Sequence, residues 1–350
     1  MAETSYLKRH WKLLLNIVTV VALLALAYAV RHQLADTLRN LKKVHVWALL
    51  LLIPVEWLNY DAQARMYRGL FKVVGNKISY KFLLKASLEL NFVNNVFPSG
   101  GVSGISYFGM RMRSKDITGG KATVVQMMKL MLLFLSFEIL LVLGLLFMAF
   151  GGHVNNIVML ATGSLSTLLV VGTVAFVMII GSERRIAGTF TSVTKGLNRV
   201  IQVVRPNRPE TFNIERARSS IEELHTNYKI MESHYRELWQ PFWWAFVANL
   251  AEVMAVYVVY IAFGEWVNLG SVILAYSVAN FAGLVSVLPG GVGIYEALMT
   301  AVLAATGVPA AMSIPVTVMY RVLNMLIQLP PGYYYYHRTV ISGKNLEPHA

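Results

Sequence analysis

The sequence has 350 residues, of which 56% are hydrophobic and only 14% are charged, and its mean hydropathy is +0.54. Soluble globular proteins carry about 25% charged residues, so this composition excludes a soluble domain and predicts a membrane protein. The formal net charge is +13, but RNP, zinc-finger and basic-zipper patterns are missing, so we expect no nucleic-acid partner. The sequence contains no cysteine, which excludes disulfides, thiolate metal sites and a cysteine nucleophile. The eight histidines are scattered without an HExxH motif, so we predict no metal site and no cofactor.

Six apolar segments have the length of membrane-spanning helices. The first follows a basic cluster at residues 8–12 and could instead be a secretory signal peptide, because Ala27-Tyr28-Ala29 resembles a cleavage site. We favour a retained helix, because the internal repeat described below requires it. The predicted spans are Leu13–Val30, Val44–Tyr60, Ile117–Phe150, Ile157–Gly181, Trp239–Phe263 and Ala311–Tyr336.

Two further apolar stretches, residues 80–113 and 270–306, are each interrupted by proline and glycine. Proline removes a backbone donor and glycine opens the helix, so we predict a re-entrant hairpin at each interruption. Irregular backbone survives at membrane depth only where protein or a water-filled cavity covers it. The two breaks should therefore lie inside the helix bundle. Their residues are Pro98, Ser99, Gly100 and Gly101 in the first stretch and Pro289, Gly290 and Gly291 in the second.

Lysine and arginine predict the orientation of the chain, since they collect in cytoplasmic loops. With both termini in the cytoplasm and each hairpin returning to its side of entry, most of these residues fall on the cytoplasmic side. The first hairpin then enters from the cytoplasm and the second from the opposite side. We therefore predict a multi-pass protein of a prokaryotic cytoplasmic (inner) membrane. Two halves of opposite topology are typical of transporters whose ligands bind between broken helices.

The predicted halves cover residues 1–182 and 239–338, with a polar segment at 183–238 between them and a short tail at 339–350. Apolar residues in the polar segment recur at steps of three and four, which predicts a cytoplasmic helical hairpin. This hairpin packs on itself, and a regulatory or partner-docking role is the alternative. The predicted fold class is an all-α polytopic membrane protein with about six transmembrane helices and two re-entrant hairpins in an inverted repeat.

Ionisable residues within apolar spans are costly, so they mark candidate functional sites. Lys129 follows the first break and Arg321 follows the second at nearly the same distance along the chain. Either side chain could bind a phosphate, because basic side chains and the freed N-termini of helices attract anions. The alternative is that each pairs with a buried carboxylate and only stabilises the bundle. The carboxylates available within the apolar segments are Glu56, Glu138, Glu252 and Glu296.

Asparagines also accompany the breaks, Asn94 before the first and Asn280 before the second, and they either contact a ligand or cap freed backbone. No catalytic set emerges, since the serines near the first break have no histidine nearby to act as a base. An enzyme is therefore the weaker hypothesis. The predicted substrate-binding residues are Lys129, Arg321, Glu296, Glu252, Glu56, Asn94, Asn280, Pro98, Gly100, Gly101, Pro289, Gly290 and Gly291.

These motifs resemble the transmembrane region of the lysylphosphatidylglycerol synthase/flippase family. The first carrying motif is NNVFPSGGVSG at residues 94–104, and the second is LPGGVGIYE at 288–296, followed by Tyr320-Arg321. The chain departs from the commoner family pattern at Met128-Lys129, where a Glu-Arg pair is usual.

The resemblance implies a lipid translocase that moves an anionic or aminoacylated phospholipid, or a polyprenyl-phosphate-linked lipid, between leaflets. Bifunctional members carry a soluble aminoacyltransferase domain after the membrane region. Few residues follow the last predicted span, so we expect the translocase part without that domain.

In this interpretation Arg321 and Lys129 bind the headgroup phosphate. Glu56, Glu252 and Glu296 neutralise them in the empty site or carry a coupling proton. The alternatives are a membrane transferase of the phosphatidylglycerol lysyltransferase type, a small-anion transporter and a scaffold for a cell-envelope enzyme. The expected partner is a membrane lipid, and a homo-oligomer or an envelope enzyme partner is also compatible with the sequence.

Overall fold

The computed structural model describes residues 17–97, 102–150, 156–182, 225–285 and 293–341, together with Arg185 and Gly188. All regular structure in these ranges is helical. The helices of the first part are α1 (Ile17–Ala29), α2 (Arg31–Asn40), α3 (Val46–Leu49), α4 (Leu52–Val73), α5 (Tyr80–Val96), α6 (Val102–Arg113), α7 (Gly119–Phe150) and α8 (Asn156–Ile180). Those of the second part are α9 (225–233), α10 (Trp239–Ala262), α11 (Leu269–Val285), α12 (Ile294–Ala305) and α13 (Ala310–Tyr336).

Four of the described helical stretches are long and apolar enough to cross a membrane. A fifth is added if α1 and the segment Arg31–Lys43, which are bent by 54° relative to each other, form one span. The prediction of an all-helical protein with several apolar membrane helices is therefore confirmed. The segment predicted to span at Val44–Tyr60 falls in α3 and α4 and is not among them, because α4 carries several charged side chains. The four are Gly119–Phe150, Thr162–Ile179, Tyr235–Ala262 and Ala310–Val340.

Helices flank both predicted breaks. The described parts of α5 and α6 have 17 and 12 residues, and those of α11 and α12 have 17 and 12 residues, with α6 beginning and α11 ending at the limits of the described ranges. The breaks themselves lie outside the described residues, and with them six predicted site residues: Pro98, Gly100, Gly101, Pro289, Gly290 and Gly291.

The helices of the two halves pack on each other reciprocally. α5, the first arm of the first hairpin, packs on α13, which follows the second hairpin. α11, the first arm of the second hairpin, packs on α7, which follows the first. α4 and α10, which precede the two hairpins, form the most extensive contact between any two described helices. Exchanging the corresponding helices of the two halves turns the α5–α13 contact into the α11–α7 contact and leaves the α4–α10 contact unchanged. This pattern is expected of an internal repeat.

Glycine makes both reciprocal contacts close. A β-carbon on Gly332 of α13 would lie 2.7 Å from the Phe92 β-carbon and 2.8 Å from the Leu88 carbonyl oxygen of α5. A β-carbon on Gly270 of α11 would lie 2.7 Å from the Met148 γ-carbon of α7. Small residues let membrane helices approach closely and gain dispersion contacts, which replace the hydrophobic driving force that is missing in lipid. α5 is therefore held close to α13, and α11 close to α7, at glycine positions.

The described end of the polar segment packs against the first half. Tyr228 and Met231 of α9 are buried in the same apolar cluster as Leu70 and Phe71 of α4. Both belong to the predicted apolar seam of the helical hairpin. The partner helix predicted for that hairpin lies outside the described residues.

Candidate functional site

Arg321 of α13 and Glu296 of α12 form an ion pair close to the second break. Arg321 Nη1 lies 2.5 Å from Glu296 Oε1, and the two side chains are only 7% and 14% exposed. The guanidinium carbon also lies 4.8 Å from the centre of the Tyr295 ring. Gln33 of α2 donates from Nε2 to the same Glu296 oxygen at 2.9 Å. Two predicted site residues are thus in direct contact, and a buried carboxylate balances the charge of Arg321.

The start of α12 fixes the position of Glu296. Gly293 precedes the helix with φ of +90°, a conformation that disfavours residues with a β-carbon. Its N–H donates to Glu296 Oε2 at 2.6 Å, so the carboxylate caps a free backbone donor at the helix N-terminus. One oxygen caps the helix while the other faces Arg321. This cap was not predicted, although a glycine followed three residues later by a glutamate is its sequence signal.

Glu56 of α4 and Glu252 of α10 are linked through polar side chains of α13. Gln328 donates to Glu56 Oε2 at 3.0 Å and also to the Asn324 side-chain oxygen. Asn324 donates to Glu252 Oε2 at 3.4 Å, and the Tyr320 hydroxyl donates to the same oxygen at 2.8 Å. The four-residue spacing of these α13 side chains places them on one face of the helix. That face connects two predicted site residues that are far apart in sequence.

Neither of these carboxylates has a basic partner in the part of the chain that the structure describes, where no Lys or Arg nitrogen lies within 4.0 Å of them. Glu56 is only 2% exposed, whereas Glu252 is half-buried. Burying a carboxylate charge without a cation is costly. A proton or a cationic group of a ligand would remove that cost, so the pair is chemically suited to bind either one.

Lys129 of α7 lies against α4, away from the ion pair of α12 and α13. Its Nζ lies 3.4 Å from Gln63 Oε1 and 4.9 Å from the centre of the Tyr67 ring. Gln63 in turn donates to Asn59 Oδ1 at 2.6 Å. Glu56, Asn59 and Gln63 recur at helical spacing, so they line one face of α4. This polar face runs from the Lys129 contact towards the carboxylates. The two predicted anion contacts therefore lie at different places in the bundle.

The two predicted asparagines contact groups of their own hairpins. Asn94 is exposed, and its side chain lies against Gly104 of α6, where a β-carbon would collide with it. Asn280 of α11 is half-buried and donates to the Tyr276 hydroxyl at 3.3 Å. Ligand contact and capping of freed backbone both stay predictions for these asparagines, because the break residues lie outside the described ranges.

A second buried ion pair was not predicted from the sequence. Arg111 Nε of α6 lies 2.8 Å from Glu89 Oε2 of α5, and the two side chains are 4% and 1% exposed. The Tyr107 hydroxyl donates to the same oxygen at 2.8 Å, and Thr339 donates to Glu89 Oε1 at 2.8 Å. The pair therefore joins the arms of the first hairpin to each other and to the turn that follows α13. Glu89 inside an apolar run was the available signal, but no residue spacing identifies Arg111 as its partner.

The sequence from residue 13 to residue 332, which contains all of these side chains except Thr339, matches the sequence profile of the lysylphosphatidylglycerol synthase TM region. The chain belongs to this family. The expected resemblance is thereby confirmed over both halves and both breaks.

Two UPF0104 membrane proteins are similar to part of this chain. A UPF0104 membrane protein of Methanothermobacter thermautotrophicus is 29% identical over 110 residues, which are 31% of this chain and 33% of the relative. A UPF0104 membrane protein of Pyrococcus horikoshii is 25% identical over 113 residues, 32% of this chain and 34% of the relative. The matched segments thus span about a third of the length of each relative.

Proposed function

We propose that this member of the lysylphosphatidylglycerol synthase TM region family is a translocase for a lipid with an anionic headgroup. The observation that carries the proposal is the buried ion pair of Arg321 and Glu296, 2.5 Å apart at the end of a broken apolar segment. Ionisable residues inside a membrane bundle mark pathways for polar ligands. Arginine presents a planar fork of donors that fits phosphate oxygens, so Arg321 is the headgroup contact.

The arrangement of Glu296 allows an exchange. Its Oε2 caps α12 through Gly293, while its Oε1 faces Arg321. A phosphate oxygen replaces Oε1 at the guanidinium without disturbing the helix cap. Arg321 then has an anionic partner both before and after the ligand binds. The displaced Glu296 carboxylate loses its cation but keeps the hydrogen bond from the Gly293 N–H, which limits the cost of the exchange. Small differences in free energy between the two states suit a carrier that must also release its ligand.

The packing of the helices supports an inverted repeat around this site. The first arm of each predicted hairpin packs on the helix that follows the other hairpin: α5 on α13 and α11 on α7. We place six spans and two re-entrant hairpins in the membrane, with both termini cytoplasmic. Exposure of the site alternates when one half moves against the other, which is the behaviour of carriers with this symmetry. The headgroup crosses through the bundle while the acyl chains remain in lipid.

The carboxylates Glu56 and Glu252 add a second element to the proposal. They lie on α4 and α10, the two described helices with the most extensive contact, and have only amide and hydroxyl partners among the described residues. They bind either a coupling proton or the amine of an aminoacylated headgroup. Lys129 of α7, which lies against the polar face of α4, is the matching basic position of the first half.

The test is lipid flipping in proteoliposomes that contain the purified full chain. Fluorescent phosphatidylglycerol, its lysyl form, a polyprenyl phosphate and phosphatidylcholine are compared with protein-free vesicles. Faster flipping of one anionic or aminoacylated lipid, with phosphatidylcholine unchanged, supports the proposal and identifies the substrate class. A chemically altered lipid indicates a transferase. Unchanged rates for all four lipids, with a folded protein, contradict the proposal.

A further inference from the structure

An apolar groove of about 200 Å³ lies between the N-terminal helices and α13. One wall includes Leu26 and Ala27 of α1 and Leu34 of α2, and the other includes Val322 and Met325 of α13. Pockets for drug-sized ligands measure roughly 300–1,000 Å³. The groove therefore has room for only part of a lipid, and its apolar lining fits a hydrocarbon chain and disfavours a charged headgroup.

The groove adjoins the ion pair described above. Leu34, on one wall, follows Gln33, and Val322, on the other wall, follows Arg321. Gln33 and Arg321 both donate to Glu296 Oε1, at 2.9 and 2.5 Å. The two walls are thus joined at one end by a polar contact that carries a cation able to bind phosphate.

The outer side of the groove faces the position expected for lipid. Ala27 is exposed although it belongs to an apolar helix, and Leu24, one turn earlier, is 66% exposed. Leu326 on the opposite wall is 56% exposed. In a chain of this family such apolar surface borders the hydrocarbon of the bilayer. A chain can therefore enter the groove sideways from the membrane.

We propose that the groove binds the hydrocarbon chain of the anionic lipid whose phosphate binds Arg321, an inference that rests on the proposed function. The apolar walls match the chain, and the polar end matches the charge of the headgroup. A chain gains little hydrophobic free energy when it moves from lipid into the groove, since both surroundings are apolar. Selective occupancy therefore depends on the headgroup contact, and removal of Arg321 should abolish the preference of the groove for an anionic lipid.

Photo-crosslinking of the full chain in proteoliposomes tests this dependence. The probe is phosphatidylglycerol with a diazirine in one acyl chain, and crosslinked peptides are located by mass spectrometry. The exposed apolar residues Val174 and Met178 of α8, which line no groove among the described residues, report ordinary boundary lipid. We expect the groove residues Ala27 and Met325 to label at least severalfold more strongly with this probe than with a phosphatidylcholine probe. Arg321→Gln should remove that excess and leave the α8 labelling unchanged.

Filling the groove gives a second, independent variant. Ala27→Trp adds bulk at a lining position, while Ala25→Trp adds the same bulk at an exposed position of α1 outside the lining. Ala27→Trp should reduce crosslinking at Met325 severalfold, and Ala25→Trp should not. Equal labelling of the groove and α8 with both probes, unaffected by Ala27→Trp and Arg321→Gln, would mean boundary lipid only and would overturn the inference.

The two proposals fail in different ways. If flipping depends on Arg321 but groove labelling does not, the chain site is wrong and the translocase proposal stands. If groove labelling depends on Arg321 but no lipid is flipped, the binding site stands and translocation is wrong.

Discussion

Arg321 and Glu296 lie 25 positions apart in the chain and meet at 2.5 Å, so that their contact joins α13 to the first turn of α12. The same carboxylate accepts a backbone N–H from Gly293, at the end of the second break. The break, the helix cap and the buried cation are thereby one structural unit. A ligand that displaces the carboxylate from Arg321 acts directly on the end of the broken helix.

The geometry of the guanidinium predicts a difference between two substitutions of Arg321. Arg321→Gln removes the positive charge and the charged donors for the phosphate. A hydrogen bond to a charged group contributes about 1.5–3 kcal/mol, so the affinity for short-chain phosphatidylglycerol should fall at least about tenfold. Arg321→Lys keeps the charge but loses the planar fork of donors, so its affinity should lie between those of the natural chain and Arg321→Gln. Native mass spectrometry with a lipid titration measures both. Equal affinities for all three proteins would contradict the headgroup contact.

The buried pair of Glu89 and Arg111 predicts a large loss of stability. Glu89→Gln leaves Arg111 buried without its carboxylate, which should lower the free energy of unfolding by about 3–5 kcal/mol. Asp36→Asn is the matched control, because Asp36 pairs with Arg39 at 57% and 80% exposure and exposed pairs contribute about 0–1 kcal/mol. Denaturant unfolding in detergent, followed by circular dichroism, measures both. Similar losses in the two variants would mean that the first hairpin does not depend on this pair.

The left-handed backbone of Gly293 predicts that alanine is unfavourable there. Gly293→Ala should cost about 1–2 kcal/mol of stability, because φ of +90° brings the β-carbon against the following carbonyl oxygen. Gly163→Ala is the control: this glycine lies within α8 and a β-carbon there meets nothing within 4 Å. It should stabilise the helix by about 0.5–1 kcal/mol. The same unfolding measurement compares the two variants. An unchanged free energy of unfolding in Gly293→Ala would argue against a fixed cap for Glu296.

The pair of Glu56 and Glu252 predicts that Glu252→Gln folds normally but loses the response of flipping to a pH gradient. A glutamine at Glu252 can accept the hydrogen bonds from Tyr320 and Asn324, and no cation loses a partner among the described residues. Glu252→Gln should therefore change the free energy of unfolding by less than about 1 kcal/mol. If the pair carries a coupling proton, an imposed pH gradient alters flipping by the natural protein and not by the variant. An identical response of both proteins to the gradient would exclude proton coupling at Glu252.

The sequence predicted the features that depend on local chemistry. The end of α5 at Val96 and the start of α12 at Ile294 lie next to the proline and glycine of the predicted breaks, because the backbone effects of these residues act within a few positions. Charged residues in apolar spans located Arg321 and Glu296, and their pairing was one of the open alternatives. The family was recognisable from the residues around the same breaks.

The remaining features depend on contacts across the bundle, which local patterns do not reveal. The partner of Glu89 lies on the other arm of its hairpin, and Arg111 resembles a loop residue because it ends an apolar run. Lys129 contacts Gln63 because α7 packs on α4, a pairing that no residue spacing predicts. The bridge that Gln328 and Asn324 form between two distant glutamates likewise required the packing of α13.

The most direct test of the central claim is the rate of phosphatidylglycerol flipping in proteoliposomes of three proteins: the natural chain, Arg321→Gln and Arg236→Gln. Arg236 is exposed, so its substitution makes the same charge change away from the site. All three must show the same helical content and comparable unfolding transitions before rates are compared. The account predicts fast flipping by the natural chain and by Arg236→Gln, and a rate close to that of protein-free vesicles for Arg321→Gln. Equal rates for the natural chain and Arg321→Gln would contradict it.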